Sequence, residues 1–322
     1  MISSKFLTPR PLGKNGPLVP ALGFGLMMMT APSYGALPAD DERFALLDRA
    51  VEIGAMFWDT SDLYGDNEEL LAKWFKKTGK RDQIFLASNF GYVRGSTTLE
   101  IDSSPQYCKK ACDVTLKVLG IDYIDLYYAH NVDTVTPIEE TMRALLELQA
   151  EGKIKHIGLS MVSSKALRRA AKIGTVAAYQ PAYSLFDRKI EGSEGTNAFA
   201  TCRELGIAIV AATPLGRGLL TSRFSSGGSV GDDTDVRGRA MPRFLEGQRE
   251  QNAHVAAQIK VVADRKGCSL PQLALAWLLR QGDDVFPIPG GKIRAIVDKA
   301  PVAGGAVPAQ FTELLFRDTK EE

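Results

Sequence analysis

FWDTSDLYGDNEELLAKWFKKTGKRDQIFLASNF, from Phe57 to Phe90, holds one period of the pattern that sets the fold. The run Met56 to Asp59 is short, apolar and bounded, as a buried strand is. Asn67 to Lys77 then places apolar residues at helical spacing, and after the break Gly79, Lys80, Arg81, Asp82 a second short run follows, Ile84 to Ser88. A strand, a helix and a strand in this order predict two parallel neighbours joined by a crossover helix.

The alternation repeats on both sides of this unit. Further strand runs are Ala21 to Phe24, Ile124 to Tyr128, His156 to Ser160, Ala177 to Tyr179, Ile207 to Ala211 and Val285 to Pro287, which with the two above makes eight. Helical patterns cover Asp41 to Ile53, Pro105 to Leu119, Pro137 to Glu151, Ser164 to Ile173, Glu194 to Leu205 and Leu270 to Arg280. Eight strands with crossover helices in 322 residues predict an α/β protein, a (β/α)8 TIM barrel spanning 1–322 as a single domain. An open dinucleotide fold would need GxGxxG after its first strand, but Gly23, Phe24 and Gly25 are followed by Leu26 and three methionines. Residues 1–20 carry the turn residues Gly13 to Gly16 between extended flanks, which predicts an N-terminal β-hairpin plugging the barrel floor. The stretch 225–243 is rich in Gly, Ser and Asp without periodicity and is expected to be a mobile loop at the active face. Residues 300–322 form an atypical tail.

Composition narrows the function classes. Lys plus Arg number 39 against 38 Asp plus Glu, so no basic stripe invites nucleic acid or an anionic membrane, and a small ligand is expected. Met1 to Pro20 has no apolar run of signal-peptide length and no segment approaches a membrane span, so a cytoplasmic protein is expected. Cys108, Cys112, Cys202 and Cys268 form no CxxC pair. Cys108 and Cys112 lie one helical turn apart, yet no His or acidic residue is spaced to complete a metal site, and no metal is predicted. The sequence is silent on oligomeric state.

Barrel chemistry sits where strands end and βα loops begin. The second strand ends in Asp59, with Tyr64 shortly after; the third ends in Ser88 and Asn89; the fourth in His130 and Asn131. Asp59, Tyr64, Asn89 and His130 thus reach one mouth. Trp58 and Trp74 are expected in the core, His156 and His254 in solvated positions, and Tyr92, Tyr183 and Phe244 are candidate substrate contacts.

Six segments, FWDTSDLYGDNEELL, DYIDLYYAHNVD, GKIKHIGLSMVS, AYQPAYSLFDRKIE, PLGRGLLT and VFPIPG, resemble the aldo-keto reductase family, nearest its pyridoxal-reductase-like branch, over about Arg10 to Gly290. The resemblance implies NADPH-dependent reduction of an aldehyde, ketone or conjugated carbonyl, with Asp59, Tyr64 and His130 in three places of a catalytic tetrad. Asn89 stands where the family has the lysine whose cation makes the tyrosine a better acid; an amide donates a hydrogen bond but no charge. Asn89 admits three readings: a natural specialisation, a decayed site kept for another purpose, or a deliberate substitution. The resemblance also implies a cofactor set: Gly25 and Met27 after the first strand, Ser160 and Gln180 at the carboxamide, Thr213, Leu215 and Arg217 around the pyrophosphate loop, and Lys292 or Arg294 at a 2′-phosphate. Ala212 replaces the aromatic expected to stack on the nicotinamide, Met161 replaces a polar residue, and the tail departs from the family pattern. Two rivals stand beside the reductase: a redox-neutral isomerase or dehydratase moving protons with Tyr64, His130 and Asp59, and a noncatalytic NADPH-binding protein.

Overall fold

Leu12 and Val19 lie fully buried at the start of the chain, and their surroundings explain the hairpin. The computed structural model of the protein describes residues 8–30, 37–226 and 235–290. Strands β1 (Pro9–Pro11) and β2 (Leu18–Pro20) pair antiparallel, with Arg10 opposite Val19. The turn between them is built on Gly13 and Asn15 at positive φ, 79° and 60°, a conformation that favours Gly and Asn. Lys14 N donates to Gly206 O at 2.7 Å, just ahead of the strands that open there, while Leu12 and Val19 pack on Phe57, Ala87, Leu126 and Phe286. The hairpin therefore closes the end of the barrel opposite the strand C-termini, as its turn chemistry predicted.

Eight parallel strands follow in sequence order: β3 (Phe24–Gly25), β4 (Phe57–Asp59), β5 (Phe85–Phe90), β6 (Ile124–Ala129), β7 (Ile154–Ser160), β8 (Ala178–Gln180), β9 (Ala208–Ala211) and β10 (Val285–Pro287). First and last meet through Gly23 N to Pro287 O at 2.9 Å and Gly25 N to Pro289 O at 3.0 Å, which closes the (β/α)8 barrel. A Cβ on Gly25 would lie 2.7 Å from Ile288 O, so the close approach at this seam requires glycine. Along β6, Leu126 and Tyr128 turn into the barrel while Tyr127 and Ala129 meet the helices. Both faces are buried, which is why these runs read as continuous apolar segments rather than alternating ones.

Ten helices are described: α1 (Asp40–Glu52), α2 (Asn67–Thr78), α3 (Pro105–Leu119), α4 (Ile138–Ala150), α5 (Ser164–Ile173), α6 (Ala198–Leu205), α7 (Ser222–Ser225), α8 (Val236–Ala240), α9 (Gln248–Arg265) and α10 (Leu270–Arg280). Their ends carry recognisable signals. Ser104 Oγ accepts from Tyr107 N at 3.2 Å, Pro105 occupies the first turn of α3, and Gly120 closes it at φ 65°. Ser269 and Gln272 form a reciprocal capping box ahead of α10.

Several expectations shift. The first barrel strand is Phe24–Gly25 rather than Ala21 to Phe24, because Ala21 and Leu22 form the bend that carries the chain from the hairpin into the barrel. Helix α6 begins at Ala198 and not Glu194, since Asn197 sits at φ 52° and cannot continue a right-handed helix. Of the stretch 225–243, residues 227–234 lie outside the described residues. The rest carries α8 and a 3-10 turn at Pro242–Phe244, with Asp235, Arg243 and Phe244 buried. The 300–322 tail also lies outside the described residues. Tyr183 is not a substrate contact: it is fully buried against Phe199 and Trp277, its hydroxyl on Glu191 at 2.8 Å. His156 is half-buried and stacks on Phe85, while His254 is exposed.

Trp58 is fully buried between Phe24, Trp74 and Phe75, with its indole N–H donating to Ala55 O at 2.7 Å. Trp58→Ala is expected to cost about 3–5 kcal/mol, the transfer and cavity terms together, read as a fall in the denaturant midpoint.

Candidate active site

Asp59 ends β4, Ser160 ends β7 and Gln180 ends β8, while Asn89 lies next to the end of β5 and His130 follows β6. The barrel therefore delivers all five at its C-terminal mouth. Tyr64 reaches it from a tight turn: Tyr64 N donates to Ser61 O at 3.1 Å, and Thr30 Oγ1 donates to Tyr64 O at 2.6 Å. The loop is held from outside by Arg43, only 7% exposed, whose two terminal nitrogens grip the Asp66 carboxylate at 3.0 Å each. Such a fork-on-carboxylate pair fixes geometry as well as charge.

A cleft of about 720 Å³ opens over this mouth. Its walls include Gly25, Met27, Asp59, Tyr64, Gln180, Thr213, Leu215 and Arg217 of the expected set. Asn89 is fully buried beneath it, His130 stands beside Tyr64 with ring centroids 5.9 Å apart, and Ser160 is buried with its hydroxyl on Gln180 O at 2.8 Å. Lys292 and Arg294 lie outside the described residues. The sequence did not single out Arg223, Phe224, Arg237 or Ile288, which also line the cleft. Only their place in the folded chain marks them, since Arg237 comes from α8 and Ile288 from beyond β10. Phe244 lines the cleft as expected of a contact residue, and Tyr92 packs edge-on to His130 at 5.2 Å.

The loop after β9 is unusual in its backbone. Thr213, Gly216, Arg217 and Gly218 have φ of 48°, 59°, 56° and 105°. For Thr and Arg this left-handed region is uncommon and costs about 1–3 kcal/mol, which the surroundings must offset. Arg237 supplies part of that support: its Nη1 donates to Arg217 O at 2.7 Å while its other nitrogens pair with Asp235. The amides of Gly216 and Gly218 are committed inside the turn, to Thr213 O at 2.8 Å and Leu215 O at 3.0 Å. What the loop adds to the cleft wall is positive charge from Arg217, with Arg223 and Arg237 nearby.

Asp59 is 2% exposed and burial pushes its pKa up to about 7. Gln180 Nε2 donates to Asp59 Oδ2 at 2.8 Å and opposes this, and the Asn89 amide, whose Nδ2 is committed to Thr60 O at 2.6 Å, adds a weaker pull in the same direction. Asn89 Oδ1 is buried without a hydrogen-bond partner. His130 is shielded enough that its pKa falls to about 4, so the ring is neutral at pH 7.

The raised Asp59 pKa has a stability consequence. The folded state holds this proton up to about pH 7, whereas the unfolded carboxyl releases it near its ordinary value, so stability falls as pH rises between the two. Asp59→Asn keeps the shape without the charge. It is expected to stabilise the protein by a few kcal/mol at pH 8 and by little at pH 4, since one pKa unit corresponds to about 1.4 kcal/mol. Denaturant midpoints at the two pH values check this.

Residues 21–299 match the aldo/keto reductase family. The chain is 44% identical over 290 residues to the aldo-keto reductase str7 of Strobilurus tenacellus, covering 89% of this chain and 84% of that protein. It is 41% identical over 329 residues to the Schizosaccharomyces pombe aldo-keto reductase yakc, whose name carries NADP(+), covering 94% and 95%. Among solved structures, the glycerol dehydrogenase of Gluconobacter oxydans superposes with a TM-score of 0.75 at 23% identity, covering 98% of this chain and 91% of that one, a likeness of fold. The chain belongs to the aldo/keto reductase family. Among the described residues, no helix is long and apolar enough to cross a membrane.

Proposed function

We propose that the chain is an NADPH-dependent oxidoreductase that reduces an aldehyde, ketone or conjugated carbonyl, with Tyr64 donating the proton, His130 orienting the oxygen and Asn89 bracing the floor beneath them. The observation that carries this reading is the convergence of Asp59, Tyr64 and Gln180 with the arginine-bearing loop after β9 on one cleft. A carbonyl-handling end and an anion-handling end share one space, as a substrate beside a dinucleotide requires. The fit to NADPH rests on chemistry present in the chain. The amide of Gln180 faces the cleft, Ser160 fixes the strand end behind it, and Leu215 and Arg217 line the outer wall where a pyrophosphate would sit. Met27 and Thr213 complete the wall, and Lys292 or Arg294 would meet the 2′-phosphate. The cofactor named for the yakc relative agrees with this choice.

When bound, NADPH supplies the hydride. The chain's own residues do the rest: Tyr64 gives its hydroxyl proton to the oxygen, and neutral His130 offers a hydrogen bond without competing as a charged acid. Asn89, in the place the family gives a lysine, holds the Thr60 carbonyl and steadies the floor without adding charge. The same reading takes the pyridoxal-reductase-like branch, which the motifs resemble, as the nearest within the family, together with a cytoplasmic site of action. The proton held by Asp59 near neutral pH gives the redox-neutral alternative its footing, since Asp59 and Tyr64 border the same cleft.

Titration with NADPH followed by nicotinamide fluorescence, with NADH as control, tests the reading. Saturable binding that favours NADPH is expected. Absence of binding of either nucleotide would remove it.

A further inference from the structure

Ser61 Oγ stands at a junction with more acceptors than it can serve. It lies 3.1 Å from His130 Nδ1, 3.4 Å from Asp62 Oδ1 and 3.3 Å from Asn89 O, while already accepting from Leu63 N at 3.2 Å. A hydroxyl has one proton, so it donates in one direction only. The direction it takes decides which nitrogen of the neutral His130 ring carries hydrogen.

We propose that Ser61 is a positioning residue that relays the protonation state of Asp62 to His130, and thereby sets whether the imidazole offers a donor or an acceptor to the substrate oxygen. This rests on the reading of His130 as the group that orients that oxygen. With Asp62 ionised, Ser61 donates to the carboxylate, accepts from Nδ1–H and leaves Nε2 as a bare acceptor. With Asp62 protonated, its O–H donates to Ser61, Ser61 donates to Nδ1, and the ring hydrogen sits on Nε2, where it can bond a carbonyl oxygen. The two arrangements differ by one proton. A proton arriving at Nε2 sends the Nδ1 hydrogen to Ser61 and the Ser61 hydrogen to Asp62, so no other bond changes and no redox partner is needed.

The surroundings of Asp62 suit it to this role. It is 6% exposed, and its Oδ2 has no hydrogen-bond partner. Burial, reinforced by the Glu68 carboxylate of α2 and opposed by Arg94, which is ion-paired with Glu68, raises its pKa to about 7. Tyr107 of α3 and Tyr127 of β6 also feel its charge. His130 is flanked by the rings of Tyr64 and Tyr92, and burial alone holds it neutral, so the Ser61 contact is what chooses its tautomer.

The direct test is nitrogen NMR of protein labelled with 15N-histidine, free of nucleotide, from pH 5 to pH 9. Three histidines are present, and His130 is assigned by His130→Gln. The expected result is that the protonated nitrogen of neutral His130 moves from Nε2 at low pH to Nδ1 at high pH in the wild type. Asp62→Asn removes the pH dependence, Ser61→Ala removes it while Asp62 still titrates, and Ser61→Thr, which keeps the hydroxyl, restores it. Thermal unfolding of each variant separates this from simple loss of fold. In turnover with a simple aldehyde, the wild-type rate is expected to fall about tenfold from pH 6 to pH 8, following the protonated fraction of one acid of pKa near 7, and to flatten in Ser61→Ala. A single His130 tautomer across the range in the folded wild type, or an unaltered swap in Ser61→Ala, overturns the proposal. Because the NMR arm needs no substrate, a tautomer swap in a protein that reduces no carbonyl would sink the functional reading and leave the relay standing.

Discussion

Tyr64→Phe is expected to slow carbonyl reduction by about two to four orders of magnitude while leaving NADPH affinity within about twofold, because proton donation in the transition state is lost and ground-state binding is not. The side chain borders the cleft beside Asp59, and its turn is held by Thr30 and by the Arg43 grip on Asp66, none of which uses the phenol oxygen. Removing one oxygen should therefore leave the loop in place. Neither neighbour substitutes well. His130 is neutral down to about pH 4, and Asp59 is bonded to Gln180 at the base of the cleft. Single-turnover kinetics with saturating NADPH, beside fluorescence titration, checks both halves. A variant that keeps most of its rate would hand the proton to a different group.

Asn89→Lys is expected to raise aldehyde reduction about a hundredfold or more, the size of effect that one preorganised charge at an active site commonly has. The position is fully buried, and Asn89 Oδ1 has no partner to lose. An ammonium placed there would face the Asp59 carboxyl, which at present has only neutral hydrogen-bond donors against the cost of burial. The pair would ionise together, so Asp59 would lose its raised pKa, and the decline in stability between pH 4 and pH 7 would shrink. The longer side chain strains a packed site, and a loss of about 1–3 kcal/mol is expected alongside the gain in rate. Both changes are read from the same protein, one by turnover and one by denaturation at two pH values. A rate that stays flat or falls would mean that Asn89 is fitted to this chain's own substrate chemistry rather than standing in for a missing cation.

The barrel was legible because its strands are buried on both faces and its helices carry end signals. Ile124–Ala129 reads as an apolar run since Leu126 and Tyr128 face inward while Tyr127 and Ala129 face the helices. Helix α3 announces itself by Ser104, Pro105 and Gly120. Helix α9 did not, although it is 18 residues long, because its buried face is made of Asn252, Val255, Ala256, Ile259 and Ala263, small or polar residues that leave little periodic contrast. Asp59, Tyr64, Asn89 and His130 could be placed at one mouth from strand ends alone. Tyr183 could not be separated from them, since an aromatic three residues beyond a strand end looks the same in sequence whether it faces a ligand or, as here, Trp277. The arginines of the outer wall depend on how chain beyond β9 folds back. Nothing local marks Arg237 as the residue that holds the Arg217 carbonyl.

The most direct test of the central claim follows the hydride itself. The protein is mixed with an aromatic aldehyde and NADPH deuterated at the reactive face of nicotinamide C4, and the product is analysed by mass spectrometry and proton NMR. The account predicts an alcohol with one deuterium on the carbinol carbon, formed in equal amount to the NADP+ released. A substrate converted with no deuterium gained and no NADPH consumed would contradict it and identify the barrel as a site of redox-neutral proton transfer.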